Sequence, residues 1–201
     1  MKDTKVPVQV FGGTTKFDKK LFTPVSKDVN YYINKPFNGG LWTSSYIEEK
    51  DREEDYDKKD YSEWARWFIN ENFHIYSYED ISILYPKEDT KVFTINNIED
   101  LYEASSRLGD ICDDKLLKHN IARADNLVID FQKLSKSYDG IRVTKEGAWR
   151  LHWFDDSIYD NDKYRMLISL YAWDCESTLW FNVDWIDKVE YKKVKTITIE
   201  C

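Results

Sequence analysis

An α+β fold is predicted by this sequence, with mostly antiparallel strands bracketing a central helical block. Strand-like runs stand at both ends of the chain, at 6–11 and 189–199, with more at 81–85, 91–95 and 141–144. Between them, residues 97–137 carry apolar side chains at the three- and four-residue spacing of helices. Glycine and proline number only 7 and 4 in 201 residues, which argues against a low-complexity chain, a collagen or a glycine-rich dinucleotide fingerprint.

The elements follow in order. Residues 6–11 form a first strand, stopped by Gly12-Gly13. Residues 14–38 are polar and irregular, and Pro36 keeps Lys35 extended. Gly39-Gly40 opens a short apolar run, Leu41-Trp42, that passes into Thr43-Ser44-Ser45. Residues 48–60 are charged without an apolar period, the pattern of a solvated loop or of a lid beside a site. Ser62 is an N-cap, and Trp64, Trp67 and Phe68 form one buried stripe behind it. Two strands, Ile81 to Tyr85 and Lys91 to Ile95, flank a turn at Pro86 to Asp89. Asn97 caps a helix with the stripe Ile98, Leu101, Tyr102 and Leu108, ended by Gly109. Further helices span about 113–123 and 126–137. Ile141 to Thr144 is a strand, and Trp149, Leu151 and Trp153 alternate as another. The strongest strand is 167–181, and 189–199 is an edge strand guarded by lysines. One domain, 1–201, without internal repeats is expected.

The charge is −8, from 29 basic and 37 acidic residues, which disfavours non-specific duplex binding. Three cysteines, far apart and without C-x-x-C, suit a reducing cytoplasm. The start of the chain has no signal-peptide core, and no run approaches the ~20 apolar residues of a membrane span. Histidines 74, 119 and 152 stand in unrelated contexts, so no metal is expected.

Strand alternation across 167–181 puts Asp174 and Glu176 on one face, roughly 7 Å apart at the usual strand rise. Acids inside so aromatic a stretch need partners. A neighbouring arginine, Arg142 or Arg150, would make them structural. A cleft would make one of them catalytic, because a carboxylate stabilises positive charge in glycosidic cleavage. Loss of nicotinamide from NAD+ makes the same demand, and nicotinamide leaves without a general acid. The glycine pairs fit either tight turns or backbone that approaches a ligand closely.

The runs GGLWTSS, S-x-W-x-x-W at Ser62 to Trp67, YDGIRVT, G-x-W at Gly147 to Trp149 and LYAWDCESTLWF resemble a family of uncharacterised bacterial and phage proteins over about residues 35–186. Their order is also similar to the three-motif plan of ADP-ribosyltransferases. That resemblance implies an ADP-ribosyltransferase-like fold of split, mostly antiparallel sheets, with NAD as substrate. It implies that Glu176 is catalytic and that Asp174 positions the acceptor. It assigns Thr43 and Ser44 to the NAD+ site, which the open backbone of Gly12 and Gly13 beside Thr14, and Trp42 as a stacking surface, are expected to complete. The family's Arg or His on the first strand is replaced here by Val8-Gln9-Val10-Phe11. The implied acceptor is a macromolecule, a protein before a nucleic acid, in a toxin, phage or defence setting.

Two other functions fit the residues. One is a non-catalytic acidic interaction protein of inhibitor or immunity type, with 48–60 as contact surface. The other is a small glycan-binding or glycosidase-like domain that uses Asp174 with Glu176. Acceptor and oligomeric state are left open.

Overall fold

The structure, a computed structural model, describes residues 5–12, 16–52, 61–71, 80–111 and 123–193. Among these the chain is mixed α/β, with a mostly antiparallel sheet and six helices. The central sheet has seven strands. Its order begins at the edge strand β11 (Ile186–Lys193), followed by β5 (Asp80–Pro86), β1 (Gln9–Gly12) and β4 (Leu41–Ser45). It continues through β10 (Ser177–Trp180) and β9 (Gly140–Val143) to β6 (Val92–Ile95). Within this sheet, among the described residues, β6 and β9 are the one parallel pair. Two small ladders stand apart, β2 (Val29–Asn30) with β3 (Lys35–Pro36), and β7 (Ser105–Arg107) with β8 (Leu127–Ile129).

Both faces of the sheet are covered. Neighbouring residues of a strand point to opposite sides, and Ile83 and Leu84 of β5 enter different clusters. Ile83 packs with Val10, Tyr61, Ala65 and Ile81 beneath α1 (Glu63–Asn70). Leu84 packs on the other side with Phe17, Leu41, Trp180 and Trp185. The largest cluster joins β6, β9 and β10 to α2 (Ile98–Ala104), α3 (Leu108–Ile111), α4 (Phe131–Ser135) and α5 (Lys145–Leu151). A short α6 (Asp156–Tyr159) follows α5. No helix among the described residues is long and apolar enough to cross a membrane.

Several elements follow the sequence closely. The Ser62 hydroxyl accepts from the Ala65 amide at 3.1 Å, capping α1. Asn97 and Asp100 form a reciprocal capping box on α2. Strands β5, β6 and β9 lie where alternation puts them.

Other elements differ, each for a physical reason. The helix begun at Asn97 stops at Ala104, because Ser105–Arg107 pairs with β8. Gly109 therefore lies inside α3 rather than ending α2. Residues 126–137 divide into β8 and α4, with Asp130 capping α4. Trp149, Leu151 and Trp153 are not a strand. Thr144 caps a helix through the Gly147 amide, and the buried residues are Gly147, Ala148 and Leu151, at helical spacing. Trp149 and Trp153 stand largely exposed.

The largest difference concerns 167–181, of which only Ser177–Trp180 is strand. Upstream, burial recurs every third residue, at Tyr164, Leu167, Leu170, Trp173 and Glu176. Bonds from Leu167 N to Tyr164 O and from Trp173 N to Leu170 O make that stretch a chain of turns. Asp174 and Glu176 consequently do not share a strand face: Asp174 is exposed and Glu176 is buried. All but the last residue of the helix expected at 113–123, most of the 48–60 loop and the end of the 189–199 strand lie outside the described residues.

Candidate functional site

The site forms where the sheet changes partners. β4 pairs with β10 through Leu41, Trp42 and Thr43, then with β1 through Ser44 and Ser45. That changeover leaves β4 polar groups open beside the start of β10, and Glu176 fills the gap. Its Oε2 accepts from the Ser44 hydroxyl at 2.7 Å and from the Ser45 amide at 2.8 Å. Its Oε1 accepts from the Ser45 hydroxyl at 2.8 Å and from Arg142 Nε on β9 at 2.9 Å. Arg142 Nη2 also donates to Ser45 Oγ at 3.2 Å. The Glu176 side chain is 3% exposed and that of Arg142 24%. A carboxylate this buried needs such partners, and a charged donor among them offsets its desolvation best.

One residue earlier on β4, the Thr43 hydroxyl donates to Gln9 Oε1 at 2.6 Å and accepts from Trp180 Nε1 at 2.7 Å. Gln9 Nε2 donates in turn to the Pro7 carbonyl at 3.0 Å. The Thr178 hydroxyl, in register with Thr43 and Arg142, is the one buried side-chain polar atom among the described residues without a partner.

Both chain neighbours of Glu176, Cys175 and Ser177, line a cleft of about 400 Å³. Trp42, Trp173 and Trp64 supply aromatic walls, and Lys35 and Asp174 supply charge. The Trp42 and Trp173 rings lie 5.0 Å apart, and Lys35 Nζ stands 5.0 and 5.7 Å from them. Burial pushes the Lys35 pKa below the usual lysine range, while Asp174 and Cys175 pull it partly back. Burial, with Glu176 and Asp174 nearby, pushes the Cys175 thiol up to about 12.

Asn34 builds this wall. It is fully buried and takes a left-handed φ of 51°, which asparagine tolerates better than most residues. Its side chain donates to the Ile168 carbonyl at 2.9 Å and accepts from the Ile129 amide at 2.8 Å. Its carbonyl accepts from Trp173 Nε1 at 3.1 Å. One residue thus ties the β2–β3 hairpin to β8 and fixes Trp173 beside Lys35.

The structure brings together Trp42, Thr43, Ser44 and Glu176 around the β4–β10 junction. Asp174 lines the cleft and is not among the hydrogen-bond partners of the Glu176 carboxylate. Gly12 ends β1 opposite Ile81, three residues along from Gln9, and Gly13 and Thr14 lie outside the described residues. Gly39-Gly40 stands at the end of β4 remote from Ser45, so the two pairs do not meet at Glu176. Both residues have positive φ, 78° and 74°, and a Cβ would fall 2.0 Å from the Pro24 carbonyl oxygen or 2.3 Å from Leu179 Cδ1. They are turn and packing glycines. Sequence reasoning misses Lys35 and Asn34, and reaches Arg142 only as one candidate ion partner. The third hydroxyl of Thr43-Ser44-Ser45 is the signal that marks Ser45.

Among the described residues no three His, Cys, Asp or Glu side chains gather as a metal site. No protein-family model, no curated protein and no solved structure matches this chain.

Proposed function

We propose that the chain is an ADP-ribosyltransferase-like enzyme that binds NAD+, releases nicotinamide and passes ADP-ribose to a macromolecular acceptor, a protein before a nucleic acid. The setting we favour is cytoplasmic, in a phage, toxin or defence system. One observation carries this reading: a buried carboxylate, held by two serines of a Thr-Ser-Ser strand, belongs to the residue whose two chain neighbours line a tryptophan cleft, beneath which it lies without lining it. The cleft offers stacking surface for a planar ring. When the bond from the ribose C1′ to nicotinamide breaks, its electron pair leaves with the ring and positive charge spreads over the ribose. Glu176 is the group suited to stabilise that charge. The acceptor's nucleophile then bonds to C1′, and its proton passes to solvent.

The test is nicotinamide release from NAD+, measured for the wild type and for Glu176→Gln. We expect release by the wild type and a loss of at least 100-fold in the variant, the usual size for a lost electrostatic group. Equal release by both proteins rejects the role of Glu176.

A second reading is favoured by the saturation of Glu176, whose two oxygens already hold four donors of its own chain. There the pair with Arg142 is structural, and the chain is a non-catalytic acidic interaction protein. It predicts no nicotinamide release by the wild type, and one partner retained in a pull-down.

A further inference from the structure

Lys35 is an unusual group for a cleft wall. Among the described residues its ammonium makes no hydrogen bond and no ion pair, although burial depresses its pKa. Its contacts are the faces of Trp42 and Trp173. A cation over an aromatic face gains roughly 0.5–2 kcal/mol, but the three N–H donors of an ammonium remain to be satisfied. A half-buried amine lining a cavity of small-molecule size, with Asp174 acting on it as a charge but not as a hydrogen-bond acceptor, therefore suits an anion.

The rest of the cleft narrows the choice. Trp64 on α1 adds an aromatic wall to Trp42 and Trp173. Asp174, exposed on the rim, is the one carboxylate among the described lining residues. It repels a phosphate, so an anion must take the Lys35 side. It accepts hydrogen bonds well, and a vicinal diol supplies two donors to a carboxylate, as riboses do elsewhere. Cys175, with its thiol held protonated, adds no negative charge between them. An aromatic wall, an acceptor at the rim and an amine inside match the three parts of a nucleotide.

We propose that this cleft is a binding site for a nucleoside 5′-monophosphate group, with the base stacked on the tryptophans, the ribose diol on Asp174 and the phosphate on Lys35. The site stands on the cleft alone, and it holds whether or not NAD+ is cleaved.

The experiment is tryptophan-fluorescence titration of the full chain with AMP, adenosine, 2′-deoxy-AMP and inorganic phosphate at one pH. AMP should quench saturably. Adenosine should bind at least tenfold more weakly, and phosphate should not compete at equal concentration. Lys35→Met should bring AMP down to the affinity of adenosine. Asp174→Asn, at an exposed position that tolerates change, should erase the several-fold preference for AMP over 2′-deoxy-AMP. Equal binding of AMP and adenosine by the wild type overturns the assignment, and so does full AMP affinity in Lys35→Met. Nicotinamide release without AMP binding overturns this site alone. AMP binding without nicotinamide release supports this site and rejects the cleavage reading.

Discussion

Glu176 and Arg142 form the pair on which the site depends most. The carboxylate is almost fully buried, and Arg142 is its one charged donor. Removing that donor leaves a buried charge held by neutral groups only. Arg142→Met should therefore destabilise the fold by about 2–4 kcal/mol, somewhat less than the ~3–5 kcal/mol for breaking a fully buried pair because Arg142 is partly exposed. In a chain this long that lowers the melting temperature by roughly 5–10 °C. In a double-mutant cycle, Arg142→Met with Glu176→Gln should lose less than the sum of the singles. Strict additivity would show that the two side chains do not act as a pair.

Two other side chains in the cleft have charge behaviour that can be measured. With its pKa raised to about 12, Cys175 holds about one part in ten thousand as thiolate at pH 8. Alkylation of the Cys175 peptide by iodoacetamide should run at least 100-fold slower than that of a free cysteine; comparable rates would contradict its burial. Lys35 has the opposite linkage. Its folded pKa lies below its unfolded value, so between the two the unfolded chain binds more protons and stability rises with pH. The cost of burying the ammonium is present at neutral pH and fades as the amine deprotonates. Lys35→Met should thus gain more over the wild type in denaturant unfolding at pH 7.5 than at pH 10. A constant difference would place Lys35 in water.

At the scale of elements, the β2–β3 hairpin is set by Asn34. Its amide satisfies the Ile168 carbonyl and the Ile129 amide, and its backbone fixes Trp173. Asn34→Ala leaves buried polar groups unpaired and strains a left-handed position. We expect a loss of about 3 kcal/mol, read as a shift in denaturant midpoint, with weaker nucleotide quenching. Asn34→Gly relieves the strain but not the lost bonds, and should recover only part. Elements whose signals are local were legible in the sequence: the caps at Ser62 and Asn97, and the alternation of β5, β6 and β9. The stretch before β10 was not. Its many aromatics imitate an alternating strand, while its burial follows a period of three set by turn bonds within it and by backbone bonds to Leu127 of β8 and Leu151 of α5. Asn34 was illegible for a similar reason, since its partners lie 95 and 134 residues away.

At the scale of the whole molecule, a sheet covered on both faces changes partners along β4, and the acid of the candidate site stands at the change. Glu176 and the Thr43-Ser44 run could be read from sequence because the acid and the hydroxyls are conspicuous in type. Their meeting could not, because it depends on the register of β4 against β10 and on Arg142 arriving from β9. The glycine pairs show the converse. Conspicuous in sequence, Gly39-Gly40 serves a turn at the far end of β4. We propose that one molecule of NAD+ meets both the cleft and Glu176. A crystal structure of Glu176→Gln soaked with NAD+ tests it most directly. We expect a nicotinamide ring against the tryptophans and the ribose C1′ within about 4 Å of the residue 176 side chain, near attack distance. An empty cleft at saturating NAD+, or NAD+ bound elsewhere on the molecule, would contradict it.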